Sequence, residues 1–341
     1  MSSDRNNKNT SIISIKRKLV IILATLIVLQ VIIIAQLSIF QSLGKPELTG
    51  KMVYHTYSDY LSRDSKLYLV DFKKNNKVCL NDNFTDVEHT MNGSFSPDGK
   101  DIVFMGVTKR EYADEWDIFK YDLDSKLLIN LTKNNGYRNE DPKFSPDGRF
   151  IVYKKGYWSN KLEQTIYDIC ELELDTGISR NITNNLREES MPNYSVDGKY
   201  IYYMRGLGAD SEICKVDRRG ESYGVECIFK DIGVQSYYPA IYKNKVYFSK
   251  WHSRSNSTDM LVILDENGNK TYGAFNNPDY NISDSYPICD EIVMFSGTME
   301  ELGEGGYDLY VGNISTGQVW KMNDYIKVND KNHQLGVSYF K

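Results

Sequence analysis

Apolar and polar positions along the chain come in short bursts rather than at helical spacing. Asp101 to Val107, Phe150 to Gly156 and Tyr200 to Gly206 are runs rich in β-branched and aromatic residues, bounded by Gly, Pro, Asn and Asp. That pattern predicts buried strands joined by tight turns. Each run follows one pentapeptide: Phe95-Ser96-Pro97-Asp98-Gly99, Phe144-Ser145-Pro146-Asp147-Gly148 and the worn Tyr194-Ser195-Val196-Asp197-Gly198. Spacings of 49 and 50 residues signal repeated units, each too small to bury its own apolar face and so obliged to stack on its neighbours.

The pentapeptide is turn chemistry: Pro presets φ, Asp caps locally and Gly supplies the positive φ that closes a hairpin. It therefore joins a first strand to a second. The same period continues where the motif has decayed. Second-strand patterns recur at Lys51 to Tyr57, Lys245 to Trp251 and Glu291 to Gly297. Third strands follow at Lys66 to Phe72, Asp117 to Leu123, Asp168 to Leu174, Glu212 to Arg218, Asp259 to Asp265 and Tyr307 to Asn313. Fourth strands come near Lys77, Leu127, Ile178, Val225, Lys270 and Gln318. The pattern predicts an all-β, six-bladed β-propeller over residues 46–341, with blades starting near 46, 93, 142, 192, 239 and 287. The first unit lacks room for an inner strand, and residues 335–340 resemble an inner-strand run, so the C-terminal strand is expected to complete blade one.

One stretch breaks the pattern. Leu19 to Gly44 carries no charge, and Leu19 to Phe40 is almost wholly aliphatic, long enough to cross a hydrocarbon layer about 30 Å thick. Lys16, Arg17 and Lys18 precede it. By the positive-inside tendency this predicts a cytoplasmic tail at 1–18, a single N-terminal transmembrane helix at 19–43 and a propeller outside the cell membrane. A cleaved signal peptide fits less well, since its apolar region is shorter and ends in small residues.

The formal net charge of -5 over 341 residues offers no general attraction to nucleic acid, and no phosphate loop or dinucleotide fingerprint occurs. Five scattered cysteines include no C-x-x-C pair. Cys214 and Cys227 fall on consecutive strand patterns around Gly220, where they form either a disulfide or two small buried hydrophobes.

The Phe-Ser-Pro-Asp-Gly core, the Tyr121-Asp122-Leu123-Asp124 to Asn130-Leu131-Thr132 stretch with its echo Leu172 to Thr183, and Pro142 or Pro192 before the aromatic together resemble the TolB-like β-propeller family. Those repeats also occur in the propellers of dipeptidyl-peptidase-type enzymes. The resemblance implies the fold and a role mostly as a binding scaffold. No G-x-S-x-G nucleophile elbow accompanies it.

Strand order puts the repetitive turns on one rim and long, dissimilar loops on the other, where binding usually sits. The loops carry Tyr57 and Tyr60, Tyr112 and Trp116, Tyr157 and Trp158, Tyr237 and Tyr238, Trp251 and His252, and Tyr286. These suit sugar rings or protein partners if exposed, and blade packing if buried. His55, His89 and His333 fall in adjacent blades; with Glu88 and Gln334 they are the residues that would hold a divalent metal, a pattern similar to the His-rich site of propeller-type oligogalacturonate lyases. Otherwise no cofactor is expected. Glu140, Asp141, Glu188, Glu189 and Asp284 precede inner strands, as strand-entry caps, a solvated funnel, or an acid–base pair. The sequons at Asn130, Asn181 and Asn313 read as repeat consensus. The expectation is a membrane-tethered extracytoplasmic scaffold for a protein or glycan; the alternative is a polysaccharide-degrading lyase or glycosidase.

Overall fold

A computed structural model describes residues 22–32, 44–59, 62–109, 116–133, 135–252, 259–278, 280–298 and 306–341. It divides into two compact units, Met1–Glu47 and Leu48–Lys341. In the first, residues 22–32 are helical and exposed. Among the described residues no helix is long and apolar enough to cross a membrane. The expected transmembrane helix is thus not seen there, and residues 1–21 and 33–43 lie outside the described residues.

The second unit is all β, six four-stranded antiparallel sheets. Blade 1 takes β1 (Lys51–Tyr57), β2 (Lys66–Asp71) and β3 (Asn76–Cys79). Blade 2 is β4 (Val87–Phe95), β5 (Asp101–Thr108), β6 (Trp116–Asp122) and β7 (Leu128–Asn130). Blade 3 is β8 (Arg138–Phe144), β9 (Phe150–Ser159), β10 (Gln164–Glu173) and β11 (Ser179–Asn181). Blade 4 is β12 (Glu189–Tyr194), β13 (Tyr200–Arg205), β14 (Glu212–Asp217) and β15 (Val225–Lys230). Blade 5 is β16 (Val234–Tyr242), β17 (Lys245–His252), β18 (Asp259–Leu264) and β19 (Lys270–Tyr272). Blade 6 is β20 (Asn281–Pro287), β21 (Ile292–Thr298), β22 (Asp308–Asn313) and β23 (Val319–Lys321). The last strand, β24 (His333–Phe340), returns to blade 1 and pairs antiparallel with β1, from Lys51↔Phe340 to Tyr57↔His333. The first and last strands thereby share one sheet, and blade 1 gains the fourth, innermost strand that the other five blades have.

The repeated motifs are clasps. Ser96 Oγ donates to Asp98 Oδ1 at 2.7 Å and accepts the Asp101 N–H at 2.9 Å. Ser145 repeats this with Asp147 and Phe150, and Ser195 with Asp197 and Tyr200. Gly99, Gly148 and Gly198 close the turns at φ near +70°, where a side chain is strained. Successive turns also touch: a Cβ on Gly148 would lie 3.6 Å from the Pro97 ring, and one on Gly198 3.6 Å from Pro146. A second clasp explains Asn130-Leu131-Thr132. Asn130 and Thr132 donate to the buried carboxylate of Asp117 at 2.7 and 3.1 Å, and Thr132 accepts the Ile118 N–H. In blade 3 Asn181 donates to Asp168 at 3.2 Å and Thr183 accepts the Ile169 N–H, while the Thr183 side chain bonds Glu189.

The core lies between blades. Val53 and Leu67 of blade 1 share a cluster with Ile102, Phe104 and Phe119 of blade 2, all at most 3 % exposed. The β24 residue Val337 joins Met52, Tyr54, Met294 and Val311, a cluster spanning blades 1 and 6. Each blade is covered only by its neighbours, which is why the units must stack.

Candidate functional site

Two surfaces emerge, the long-loop rim and the central channel. The rim comprises the second-to-third-strand loops and the blade-to-blade connections. Among the described residues its exposed apolar side chains are Tyr137 and Leu186 in connections, Trp158 and Leu162 at the β9–β10 tip, Leu207 between β13 and β14, and Ile232 before β16. Trp158 is 62 % exposed, Leu207 66 % and Ile232 96 %. All lie around blades 3, 4 and the approach to blade 5. On the opposite rim Leu127 and Ile178 are exposed at equivalent positions of one repeat turn, and Val196 and Tyr223 are exposed in the turns of blade 4.

The aromatic residues expected on the rim divide. Trp158 is open to solvent. Trp116 is buried at 4 % and its ring lies 4.5 Å from that of His89. Tyr57 is half-buried and stacks on His333 at 5.0 Å. Tyr157 and Trp251 are half-buried; Tyr237 is too, its hydroxyl 3.1 Å from Ser283 Oγ. Tyr286 donates to the Tyr339 carbonyl at 3.3 Å and packs on the blade 1–6 cluster. Tyr60 and Tyr112 lie outside the described residues, as does the His252 side chain. The aromatic set is therefore mostly packing, and the aliphatic tips Leu162, Leu186, Leu207 and Ile232 carry the exposed apolar surface. Their signal in the sequence was only a lone aliphatic residue within a polar loop.

The three histidines sit on adjacent strands with their Nδ1 atoms engaged. His55 Nδ1 accepts the Asn92 N–H at 3.3 Å, His333 Nδ1 accepts the Tyr307 N–H at 3.2 Å, and His89 Nδ1 lies 2.6 Å from Ser65 Oγ. Burial, with His89 and Lys143 nearby, pushes His55 down to about 3. Burial, together with Arg63, takes His89 to about 4. Both are neutral at pH 7. Among the described residues no group of three or more His, Cys, Asp or Glu side chains is placed to hold a metal ion.

Cys214 and Cys227 stand opposite each other across β14 and β15, yet both are free thiols rather than a disulfide. Cys227 Sγ donates instead to Glu212 Oε2 at 3.3 Å, beside a register shift at Cys214.

The channel is lined by the inner strands, and every inner strand carries a bulge at the same place. Asn92, Asp141, Met191, Tyr238, Asp284 and Gly336 occupy it, all with φ between +48° and +64°. Repetition on six blades makes this left-handed residue a property of the fold; the side chains placed on it are this protein's own. Tyr238 donates across the channel from blade 5 to Asn92 Oδ1 of blade 2 at 3.1 Å, and Asn92 donates to Asp141 Oδ1 at 2.6 Å. Gly336 has no freedom to vary, since a Cβ there would meet His55 Nδ1 at 2.6 Å.

These residues surround a cavity of about 30 Å³ that also exposes Lys143 and Ser285. Burial pushes Asp284 up to about 7, reinforced by Asp141 and opposed by its bond from Ser283 and by Lys143. Burial raises Asp141 as well, and it lowers Lys143. The rim-side carboxylates Glu140 and Glu188 serve differently: both contact Lys154, at 3.3 and 3.1 Å, tying blade 3 to blade 4.

No family model matches the chain. An uncharacterised protein of Agrobacterium fabrum, Atu1656, is 29 % identical over 110 residues, 32 % of this chain and 34 % of that protein. The chain thus spans about a third of the length of that curated relative. Among solved structures it is similar to TolB from Acinetobacter baumannii, with a TM-score of 0.64 at 17 % identity over 88 % of this chain and 69 % of that one. It is also similar to hydrazine synthase of Kuenenia stuttgartiensis, with a TM-score of 0.67 at 13 % identity over 86 % and 47 %. These likenesses establish the six-bladed propeller and nothing about ligands.

Proposed function

We propose that this chain is a membrane-tethered, extracytoplasmic scaffold that docks a protein partner on its long-loop rim. The observation that carries the reading is the set of exposed apolar tips, Trp158, Leu162, Leu186, Leu207 and Ile232, on neighbouring blades of one rim. Clustered exposed apolar side chains on a rigid frame mark interaction sites. Aliphatic tips favour a protein surface over a sugar, because sugars stack on flat aromatic faces and most of the rim aromatics are turned into packing. The tether rests on the uncharged stretch Leu19 to Gly44 and the Lys16-Arg17-Lys18 cluster before it.

The test is affinity capture from envelope extracts with the full chain, comparing wild type with the triple variant Trp158→Ala, Leu207→Ser, Ile232→Ser. A partner recovered by the wild type and lost by the variant, at equal folded content by circular dichroism, supports the docking surface. The same partner recovered equally by both refutes it. Fractionation in which the full chain leaves the membrane under high salt or carbonate refutes the tether separately.

A further inference from the structure

Blade 4 presents three segments to the long-loop rim: the connection that enters β12, the β13–β14 loop and the connection that leaves β15. Each carries one exposed aliphatic side chain close in sequence to a cation. Leu186 precedes Arg187, Leu207 follows Arg205 across Gly206, and Ile232 follows Lys230 across Asp231. The three cations meet on one carboxylate. Glu212 Oε1 takes Arg187 Nη1 at 2.7 Å and Arg205 Nε at 2.8 Å, and Lys230 Nζ lies 3.5 Å from Glu212 Oε2. Strand register explains the meeting, because Arg205 pairs with Glu212 across β13 and β14, and Glu212 with Lys230 across β14 and β15. Three tips scattered in the sequence are therefore gathered around a single point.

The charge at that point is positive. Burial opposes ionisation of Glu212, but the bonds from Arg205 and Cys227 and the charges of Arg205 and Arg187 prevail and hold it down to about 2, so one full negative charge serves three cations. The other carboxylates of these segments compensate little. Glu188 and Asp231 are taken by Lys154 and Lys250, at 3.1 and 2.7 Å. Glu189, which faces Arg205 from β12, is buried, and burial pushes it up to about 7, so it adds part of a charge. Asp210 is exposed and ion-pairs with none of the three cations among the described residues. On the adjoining blade 3, Lys155 lies over the Tyr137 ring at 4.1 Å and acts on Asp168 without an ion pair among the described residues. This local excess of cations stands in a molecule whose formal net charge is -5.

We infer that the partner docked here is an acidic protein segment with interspersed apolar residues, its apolar side chains packing among Leu186, Leu207 and Ile232 and its carboxylates meeting Arg187 and Lys230. This rests on the reading of the rim as a protein-docking surface and names the chemistry that the surface takes. A basic segment would set cation against cation, and a neutral one would cover the excess cations without answering them. A lipid surface is flat and needs its cations level with the apolar tips. Here Leu186, Leu207 and Ile232 are 51, 66 and 96 % exposed, whereas the side chains of Arg205 and Glu212 are 19 and 5 % exposed. The charged centre is thus sunk between the tips, which suits protruding side chains.

The experiment is fluorescence anisotropy with the purified full chain in a non-ionic detergent. Labelled peptides of alternating Glu and Leu, of alternating Glu and Ser and of alternating Lys and Leu are the probes. The Glu-Leu peptide is expected to bind saturably and more tightly than the other two, with an affinity that falls as salt is raised. Arg187→Gln with Lys230→Gln leaves Arg205 on Glu212; it is expected to weaken that peptide about tenfold or more and to flatten the salt dependence. Lys199→Gln with Lys243→Gln removes the same charge from exposed side chains of the opposite rim and is expected to change neither. Absence of saturable Glu-Leu binding overturns the inference, as does equal or tighter binding of either other peptide, or unchanged affinity in a folded Arg187→Gln, Lys230→Gln protein. So does displacement of the peptide by phosphatidylserine, and not phosphatidylcholine, doped into the micelles, which would assign the patch to a lipid surface. Failure of the docking reading shows differently, as equal capture from extracts by wild type and triple rim variant. If this inference alone fails, the triple variant still loses the partner and the Arg187→Gln, Lys230→Gln variant captures it as the wild type does.

Discussion

Removal of β24 tests how the propeller is closed. Deleting residues 333–341 takes the innermost strand from blade 1 and leaves β1 with a bare edge facing the channel. The lost side chains are Val337, 7 % exposed, and the partly buried Leu335, Tyr339 and Phe340. Full burial of one such side chain contributes about 1.5–3 kcal/mol. Counting Val337 whole and the other three at half gives roughly 4–7 kcal/mol before any ladder hydrogen bond is considered. Two bonds fixing this corner also vanish: the Gly50 N–H loses Tyr339 Oη at 3.0 Å, and Tyr286 Oη loses the Tyr339 carbonyl. Against a whole-domain stability of about 5–15 kcal/mol this is a large fraction. Thermal unfolding of the purified full chain, followed by circular dichroism, is therefore expected to show a Tm lower by about 10 °C or more on deletion. A synthetic peptide of residues 333–341 added in trans is expected to restore part of the loss, because it refills one defined edge. An unchanged Tm in the deleted chain would refute the argument that this strand carries the closure.

Three smaller predictions rest on particular contacts. Asp147→Ala removes the bonds from Ser145 Oγ and the Arg149 N–H, so it is expected to cost about 1–2 kcal/mol in urea unfolding; an unperturbed midpoint would show the turn is not a clasp. Gly336→Val forces a Cβ to within 2.6 Å of His55 Nδ1 at φ +64° and is expected to yield little folded protein, read as soluble yield and far-ultraviolet signal. Asp284 has a folded-state pKa near 7 against an unfolded value near 4, so the folded state holds the extra proton between these limits and stability falls as pH rises from 4 to 7. His55 and His89, depressed to about 3 and 4, act in the opposite sense, losing stability as pH falls below about 6.5. The readout is accordingly the difference between wild type and Asp284→Asn, with the variant gaining Tm relative to wild type at pH 8 but not at pH 4.5; a constant difference across that range would show that Asp284 does not titrate in this window.

The fold was legible because its periodic chemistry is local. Ser-Pro-Asp-Gly needs only six residues to close its bonds, so the turn reads the same wherever it occurs. The second strands were equally plain, because they are buried on both faces and read as continuous apolar runs: Ile102 to Met105, and Ile292 to Phe295. Inner strands were harder to see. They start at Val87, Arg138, Glu189, Val234 and Asn281, before the positions at which the blades were expected to begin. Charged or polar residues such as Glu140, Asp141 and Glu189 open them, and Pro142, Pro192 and Pro239 follow the left-handed bulge, so these stretches look like loop. The rim aromatics misled for a related reason. A Trp in a loop-like stretch reads alike whether it is Trp158, open to solvent, or Trp116, buried against His89; the difference is made by contacts more than 20 residues away.

The six bulges show how one backbone can be both repeated and particular. A non-glycine residue at φ near +55° costs free energy, so a fold that keeps five of them must gain something from the position. The structural gain is a bend that lets six strands converge on a narrow axis, and it would be met by glycine at every blade, as Gly336 meets it at blade 1. Glycine is absent from the other five. Asn92, Asp141, Tyr238 and Asp284 instead present amide, carboxylate and phenol to the axis, and two of them bond across it from blade 2 to blade 5. The polar ring is set by a bulge that recurs on every blade and by the bonds its side chains make across the axis. The side chains particular to this chain therefore stand where the repeat holds its conformation and abandons its sequence: at the bulge ring of the axis, and in the long loops of the opposite rim from the Ser-Pro-Asp-Gly turns.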